Sequence, residues 1–364
     1  MKVLTFGRAV SLGLAVAAVT LTVTAAPAAA NPPAGEYRQL AGVGSDTTQD
    51  VLNGLGETVT SGGSKVIASY DARPAGLIKT KTTGCEFNRP DGSGAGRTAL
   101  KASENDGGNV YQGVNVTGCI DFARSSSYGG GSSPQTTGNY TYIPFGVDAV
   151  SFAVNTDSDL PTSLTFVQLQ RIYRCLTTVV SGVPVKPLLV QSGSGTRSFW
   201  LSKMGIAEAD IANGDYPCIV QTVNGAPIQE HDARVLAGHN DYIMPFSVGQ
   251  FIAQGNAATI ATQTGVVVED RRGTSRIGRV NGLQPIVNGK LNINFRPQLI
   301  RDVYNVVPTR RLAEPVIAQT FVGATSAVCV NQSVIELFGF GFRTTAGATL
   351  FEGVCGSTSL KAAS

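Results

Sequence analysis

Beyond residue 30 the chain alternates short apolar runs with stretches whose apolar residues recur at helical spacing. "VSFAVN" (150–155) reads as a buried strand, and "LTFVQLQRIYRC" (164–175) sets Leu164, Val167, Leu169, Ile172 and Tyr173 on one stripe of a helix with Thr165 as its cap. Asp50, Val51, Leu52 and Leu55 open another helix after a glycine-rich turn, and "RTALKAS" from Arg97 does the same. "QSGSGTRSFW" (191–200) runs from glycines and hydroxyls into Phe199, Trp200, Leu201 and Met204. Strand-then-helix alternation predicts α/β layers. Turn signals at Arg272-Gly273 and Asn288-Gly289 predict a basic, exposed hairpin excursion over about 265–296. "SSSYGGGSSPQTTGN" (125–139) reads as a flexible loop, and no repeat of fixed period occurs.

The apolar run "AVSLGLAVAAVTLTVTAA", flanked by Lys2 and Arg8 and ending in "APAAANPP", is not a fold element but an export signal, with cleavage expected after Ala30. Its length is near the lower limit for a membrane span, which leaves an uncleaved anchor as the alternative. The first cysteine is Cys85, so no thiol stands where a lipid anchor would attach, and the protein is expected free outside the cytoplasmic membrane. Six cysteines, none in a C-x-x-C pair, suit disulfides rather than zinc. Fifteen pairings are possible. Joining neighbours keeps each bridge within one stretch, which predicts Cys85–Cys119, Cys175–Cys218 and Cys329–Cys355; the alternative is a pair left reduced.

The 364 residues, 42% hydrophobic and 15% charged, suffice for two domains with real cores. A formal charge of +3 with no long basic run argues against nucleic acid as a partner.

Candidate chemistry concentrates in four loops rich in backbone and hydroxyl donors. Residues 191–200 place Ser194, Gly195, Thr196 and Arg197 at a helix start, where unpaired N–H groups and the helix dipole favour an anion; an ordinary Ser194 or Thr196 cap is the alternative. Ser45, Asp46, Thr47 and Thr48 open a second helix, Ser93 a third, and "DFARSSSYGG" offers Arg124, Ser125 and Ser126. Other motifs fail. Gly42-Val43-Gly44 lacks the third glycine of a dinucleotide fingerprint, "GSGAGRT" lacks the lysine of a phosphate-binding P-loop, and neither Ser93 nor Ser194 sits in G-x-S-x-G. His231 and His239 lie eight apart with no third ligand pattern, and read as surface or hinge residues. No catalytic residue, metal or cofactor is expected.

The order of these motifs resembles the phosphate-binding proteins of bacterial ABC importers, a family with the type II periplasmic-binding-protein fold. Gly42 to Thr48 is similar to the family's first loop, Gly92 to Gly96 to its Gly-Ser-x-x-Gly loop, Asp121 to Ser126 to its Asp-Phe-Gly-Ala-Ser-Asp, and Gly193 to Arg197 to its Gly-Ser-Gly-Thr turn. "PFGVDAVSFAVN" and "LTFVQLQRIY" resemble its hinge strand and the helix that follows. Two departures stand out. Ser126 replaces the aspartate of the third loop, and Val190 and Gln191 stand where many members have an arginine; Arg197 and Asp46 are the expected substitutes.

The resemblance implies a two-lobed α/β clamp with lobe 1 at 31–143 plus 247–364 and lobe 2 at 144–246, crossing near Phe145 and Phe246. The ligand site between them would use Ser45, Asp46, Thr47, Ser93, Arg124, Ser126, Ser194, Gly195, Thr196 and Arg197. It also implies a monomeric, non-enzymatic capture protein that serves a membrane permease. Inorganic phosphate is the first ligand; sulfate, molybdate or a phosphorylated organic molecule is the alternative, and a secreted hydrolase the more distant one.

Overall fold

The computed structural model describes Met1 and residues 31–363, so the export run and the cleavage point after Ala30 fall outside the described residues. Its organising element is the strand Tyr140–Asn155, sixteen residues buried along their whole length. Valines, aromatics and alanines fit a strand covered on both faces, and a register irregularity between Pro144 and Gly146 accommodates the proline, which has no N–H to give.

Nine of the described strands share one sheet: β1 (Leu40–Gly44), β2 (Ile67–Ser69), β3 (Phe122–Ser125), β4 (Tyr140–Asn155), β5 (Lys186–Pro187), β6 (Tyr242–Ser247), β7 (Ser275–Ile277), β8 (Ile300–Pro308) and β9 (Lys361–Ala362). The order is β5-β6-β4-β8-β3-β1-β2, with β7 and β9 also on β4. β4 joins two halves: Tyr140 through Ala149 pair antiparallel with β8, whereas Val150 through Ala153 pair with β6 and Ala153 through Asn155 with β7.

The helices are α1 (Gln49–Thr58), α2 (Ser93–Ser103), α3 (Phe166–Tyr173), α4 (Gly195–Met204), α5 (Glu208–Asn213), α6 (Val248–Gly255), α7 (Ala257–Thr264), α8 (Pro315–Phe321) and α9 (Gln332–Leu337). In the first half one face of the sheet packs Leu40, Phe122 and Phe145 with α1, α8 and α9, and the other packs Ala41, Val43 and Tyr142 with α2. In the second half Phe152 and Ile243 meet α3 and α4 through Leu169, Tyr173, Trp200 and Met204, and Ala153, Met244 and Phe246 form a smaller core on the reverse face. Each fully buried Leu or Met there stabilises by roughly 1.5–3 kcal/mol. None of the described helices is long and apolar enough to cross a membrane.

Thr165 caps α3 as its sequence predicts, in a reciprocal capping box with Gln168. The stripe is narrower than expected: Leu169, Ile172 and Tyr173 are buried, Leu164 lies in the strand before the helix, and Val167 is 61% exposed because the helix begins only at Phe166 and turns that side to solvent. A hairpin forms at Ile286–Val287 and Lys290–Leu291, with Asn288 and Gly289 in the left-handed conformation its turn requires. It is not a free excursion, since Val280, Leu291 and Phe295 bury in the core of the second half. The bridges are Cys85–Cys119, Cys175–Cys218 and Cys329–Cys355, as neighbour pairing predicts.

Candidate functional site

The loop from β1 into α1 carries Ser45, Asp46, Thr47 and Thr48, all buried. Arg124, from β3, lies beneath it. Its guanidinium donates to the carbonyls of Gly42, Gly44 and Ser45 and to Ser69 Oγ, at 3.0–3.3 Å. Burial pulls Arg124 down to about 10, still cationic at neutral pH. Arg124 therefore shapes the loop with its own donors rather than presenting them. Asp46 stands two residues before the N-cap of α1, which is Thr48.

Hydroxyls from two further segments meet Thr47, and a third joins through Ser126. Its Oγ1 lies 3.1 Å from Ser126 Oγ and 3.3 Å from Thr196 Oγ1. Ser93, first residue of α2, accepts from Ser126 N at 3.0 Å and stands 3.3 Å from its hydroxyl. Gly195 explains the glycines ahead of α4: a Cβ there would fall 2.3 Å from Ser126 Oγ and 2.5 Å from Ser93 Oγ, so only glycine lets the first turn of α4 approach that of α2. Gly92, at φ +100°, faces the same turn, where a Cβ would lie 2.5 Å from Gly193 O.

The start of α4 divides its groups between two tasks. Ser194 Oγ caps the helix by accepting from Arg197 N at 3.1 Å and donates to Glu230 Oε2 at 2.7 Å. Arg197, expected to supply a guanidinium to the ligand, is turned away: it binds Glu208 of α5, Val190 O at 2.9 Å and Gln221 Oε1 at 3.0 Å. The guanidinium that does reach the hydroxyl cluster is that of Arg301. It donates to Thr196 Oγ1 at 2.9 Å and to its cross-strand partner Asp148 at 2.8 and 3.1 Å, and its Nη1 is buried with no hydrogen-bond partner.

Glu230 and His231, in a turn between α5 and β6, complete the cluster; sequence reasoning missed Glu230 and read His231 as a surface or hinge residue. Both are fully buried, so His231 is not a surface residue. His231 Nε2 lies 3.1 Å from Thr47 Oγ1 and 3.2 Å from Glu230 Oε2. Its backbone is left-handed at φ +61°, a conformation costly for a side-chain-bearing residue and typical of functional sites; Gln254 Nε2 holds its carbonyl at 2.9 Å. Burial pushes Glu230 up, but the coulombic influence of His231 and hydrogen bonds from His231, Ser194 and Thr196 prevail and hold its carboxyl below the usual carboxylate range. Nearby, Gln250 donates to Thr47 O at 2.8 Å, and Arg271 Nη2 stands 3.6 Å from Asp46 Oδ1. Burial, Asp71 and Asp46 together push Asp50 up to about 6 against Arg271 and Gln250.

Of the expected residues, Thr47, Ser93, Ser126, Ser194, Gly195 and Thr196 come together; Asp46 borders them, Ser45 is buried with its hydroxyl unpartnered, and Arg124 lies behind the loop. Among the described residues, one group of metal-ligating side chains clusters: Asp46, Glu230 and His231.

No family model matches the chain, and no curated protein matches its sequence. Solved structures do resemble it. An ABC-type phosphate transport receptor from Vibrio cholerae is 15% identical, with 84% of this chain and all of that one covered and a TM-score of 0.50. A putative phosphate ABC transporter substrate-binding protein with bound phosphate, from Clostridium perfringens, is 13% identical over 83% of this chain and 98% of its own, at a TM-score of 0.48. The first likeness shows the fold, the α/β architecture of periplasmic binding proteins of type II.

Proposed function

We propose that the chain is an extracytoplasmic, non-enzymatic solute-binding protein that captures an oxyanion, inorganic phosphate foremost, and delivers it to an ABC permease. The observation that carries this reading is the convergence of Thr47, Ser93 and Ser126 from the first half with Ser194 and Thr196 from the second, beside the unpartnered Nη1 of Arg301. Tetrahedral oxyanions are recognised by this combination of hydroxyls, a guanidinium and helix N-termini. The halves meet hydroxyl to hydroxyl, so the ligand enters by their parting about β4 and β6, and contacts from both sides then favour closure. The resembling receptor's phosphate-transport title supports the ligand class and the permease. Three disulfides support an oxidising compartment.

A carboxylate beside the hydroxyls suits an oxyanion that keeps a proton, so phosphate is preferred to sulfate; Asp46 is our acceptor, with Glu230 beside it. Hydrolysis is not favoured: the Ser194 hydroxyl donates to Glu230 rather than facing His231 as a nucleophile faces its base. Calorimetry with phosphate, sulfate, molybdate and a phosphorylated sugar tests the proposal. Phosphate binding with no turnover of a chromogenic phosphate ester is the expected result; no affinity for any of the four anions would remove it.

A further inference from the structure

We propose that Asp46, Glu230 and His231 form a site for one divalent transition-metal ion of the zinc class, set against the hydroxyl cluster. The three come from both halves, Asp46 from the β1–α1 loop and the other two from the segment before β6. Each brings a donor atom within 4.8 Å of the others, and all three are buried. The 3.2 Å between Glu230 Oε2 and His231 Nε2 matches the separation of two ligands on a tetrahedral ion with bonds of about 2.0–2.2 Å, roughly 3.3 Å. The remaining separations lie within 4.8 Å, so binding the ion would require the three side chains to draw together.

A second observation points to a ligand independently of the clustering. Glu230 Oε1 and Asp46 Oδ1 are buried carboxylate oxygens with no hydrogen-bond partner, whereas buried polar atoms in native interiors are nearly always satisfied. The available cations answer this only in part. Arg271 reaches Asp46 at 3.6 Å, Arg301 is committed to Asp148 and Thr196, and Arg124 to backbone carbonyls and Ser69. One imidazole with two carboxylates suits zinc, while calcium and magnesium prefer oxygen alone. The ion's fourth position would face Thr47, where it could take an oxyanion oxygen and offset the repulsion of two carboxylates. That last link rests on the proposed function; the metal site does not.

The test is equilibrium dialysis of chelator-stripped chain against Zn²⁺, Mn²⁺ and Ca²⁺, with phosphate calorimetry on the stripped and Zn²⁺-loaded forms. One Zn²⁺ per chain is expected, held at least about tenfold more weakly in His231→Ala and Glu230→Gln and unchanged in His239→Ala, whose ring stacks on Tyr242. X-ray absorption of the wild type, which needs no variant to fold, should show one nitrogen and two carboxylate oxygens on the zinc. A chain that binds phosphate but takes up no Zn²⁺ in dialysis overturns this inference and leaves the phosphate reading standing. Zinc binding without phosphate affinity does the reverse, and equal Zn²⁺ affinity in wild type and His231→Ala overturns the site.

Discussion

Replacing Arg301 by alanine separates what its guanidinium does for the fold from what it does for the ligand. Three of its hydrogen bonds are spent within the protein, two on Asp148 and one on Thr196, and Nη1 remains for an anion. Asp148 is fully buried and also accepts from Ser247 Oγ and Gly249 N at 2.9 and 3.0 Å. Truncation leaves that carboxylate without its counter-charge, at a cost of about 3–5 kcal/mol of stability. A charge-assisted bond from Nη1 to an oxyanion adds about 1.5–3 kcal/mol of binding, which is roughly ten- to 150-fold in Kd. Because the first effect could obscure the second, the informative protein is the double variant Arg301→Ala with Asp148→Asn, which removes both charges together and recovers part of the stability. Urea unfolding reads the stability and calorimetry with phosphate reads the affinity, both at pH 7. If the double variant is folded and its phosphate Kd stays within about threefold of wild type, Arg301 is a structural ion-pair partner and the anion is held elsewhere.

Arg197→Ala should leave phosphate affinity near wild type, since the guanidinium points to Glu208, Val190 and Gln221; its main effect is a stability loss of roughly 1–2 kcal/mol in denaturant titration, discounted for the half-exposed Glu208. Asp46→Asn should weaken phosphate by about 1–3 kcal/mol and narrow its advantage over sulfate in competition binding; an unchanged ratio would return Asp46 to a structural role. Reducing the three disulfides, which span sequence separations of 34, 43 and 26, should lower the melting temperature by removing roughly 3–4 kcal/mol per bridge in the chain-entropy model, with little effect on phosphate affinity in protein kept folded below that temperature. Burial outweighs Arg343 and pushes Asp302 from 3.8 up to about 7, so the folded protein binds this proton more tightly than the unfolded chain. The stability linked to that group is present below pH 3.8 and lost as pH rises to about 7; melting temperatures from pH 4 to 7.5 should fall less in Asp302→Asn than in wild type, and parallel curves would refute this.

Local rules made much of the fold legible. The Thr165 cap and the Asn288-Gly289 hairpin turn form as the sequence predicts, and the cap offered there as the alternative role of Ser194 forms too; all three depend on residues within about four positions of each other. The six cysteines find their neighbours in sequence because each pair closes a loop inside one half. The hydroxyls of the cluster were legible for the same reason: glycine-rich turns before helices are local signals.

Side-chain direction and long-range pairing were not legible. Arg197 and Thr196 are adjacent on the first turn of α4, yet successive helical positions point some 100° apart, so Thr196 faces the cluster while Arg197 faces Glu208. Arg301 has no motif around it and reaches Thr196 only because the β4–β8 register sets it opposite Asp148, 153 residues away in sequence. Glu230 and His231 lie in an irregular segment with no periodicity to mark them, and their burial follows from the second half closing against Thr47. The sequence by itself determined the layers, the caps, the turns, the bridges and the supply of hydroxyl donors, because these follow from short-range sterics and hydrogen bonding. Which charged groups stand among those donors was decided by the tertiary structure alone, because a charge far along the chain is brought within 3–4 Å only by strand register and the meeting of the two halves.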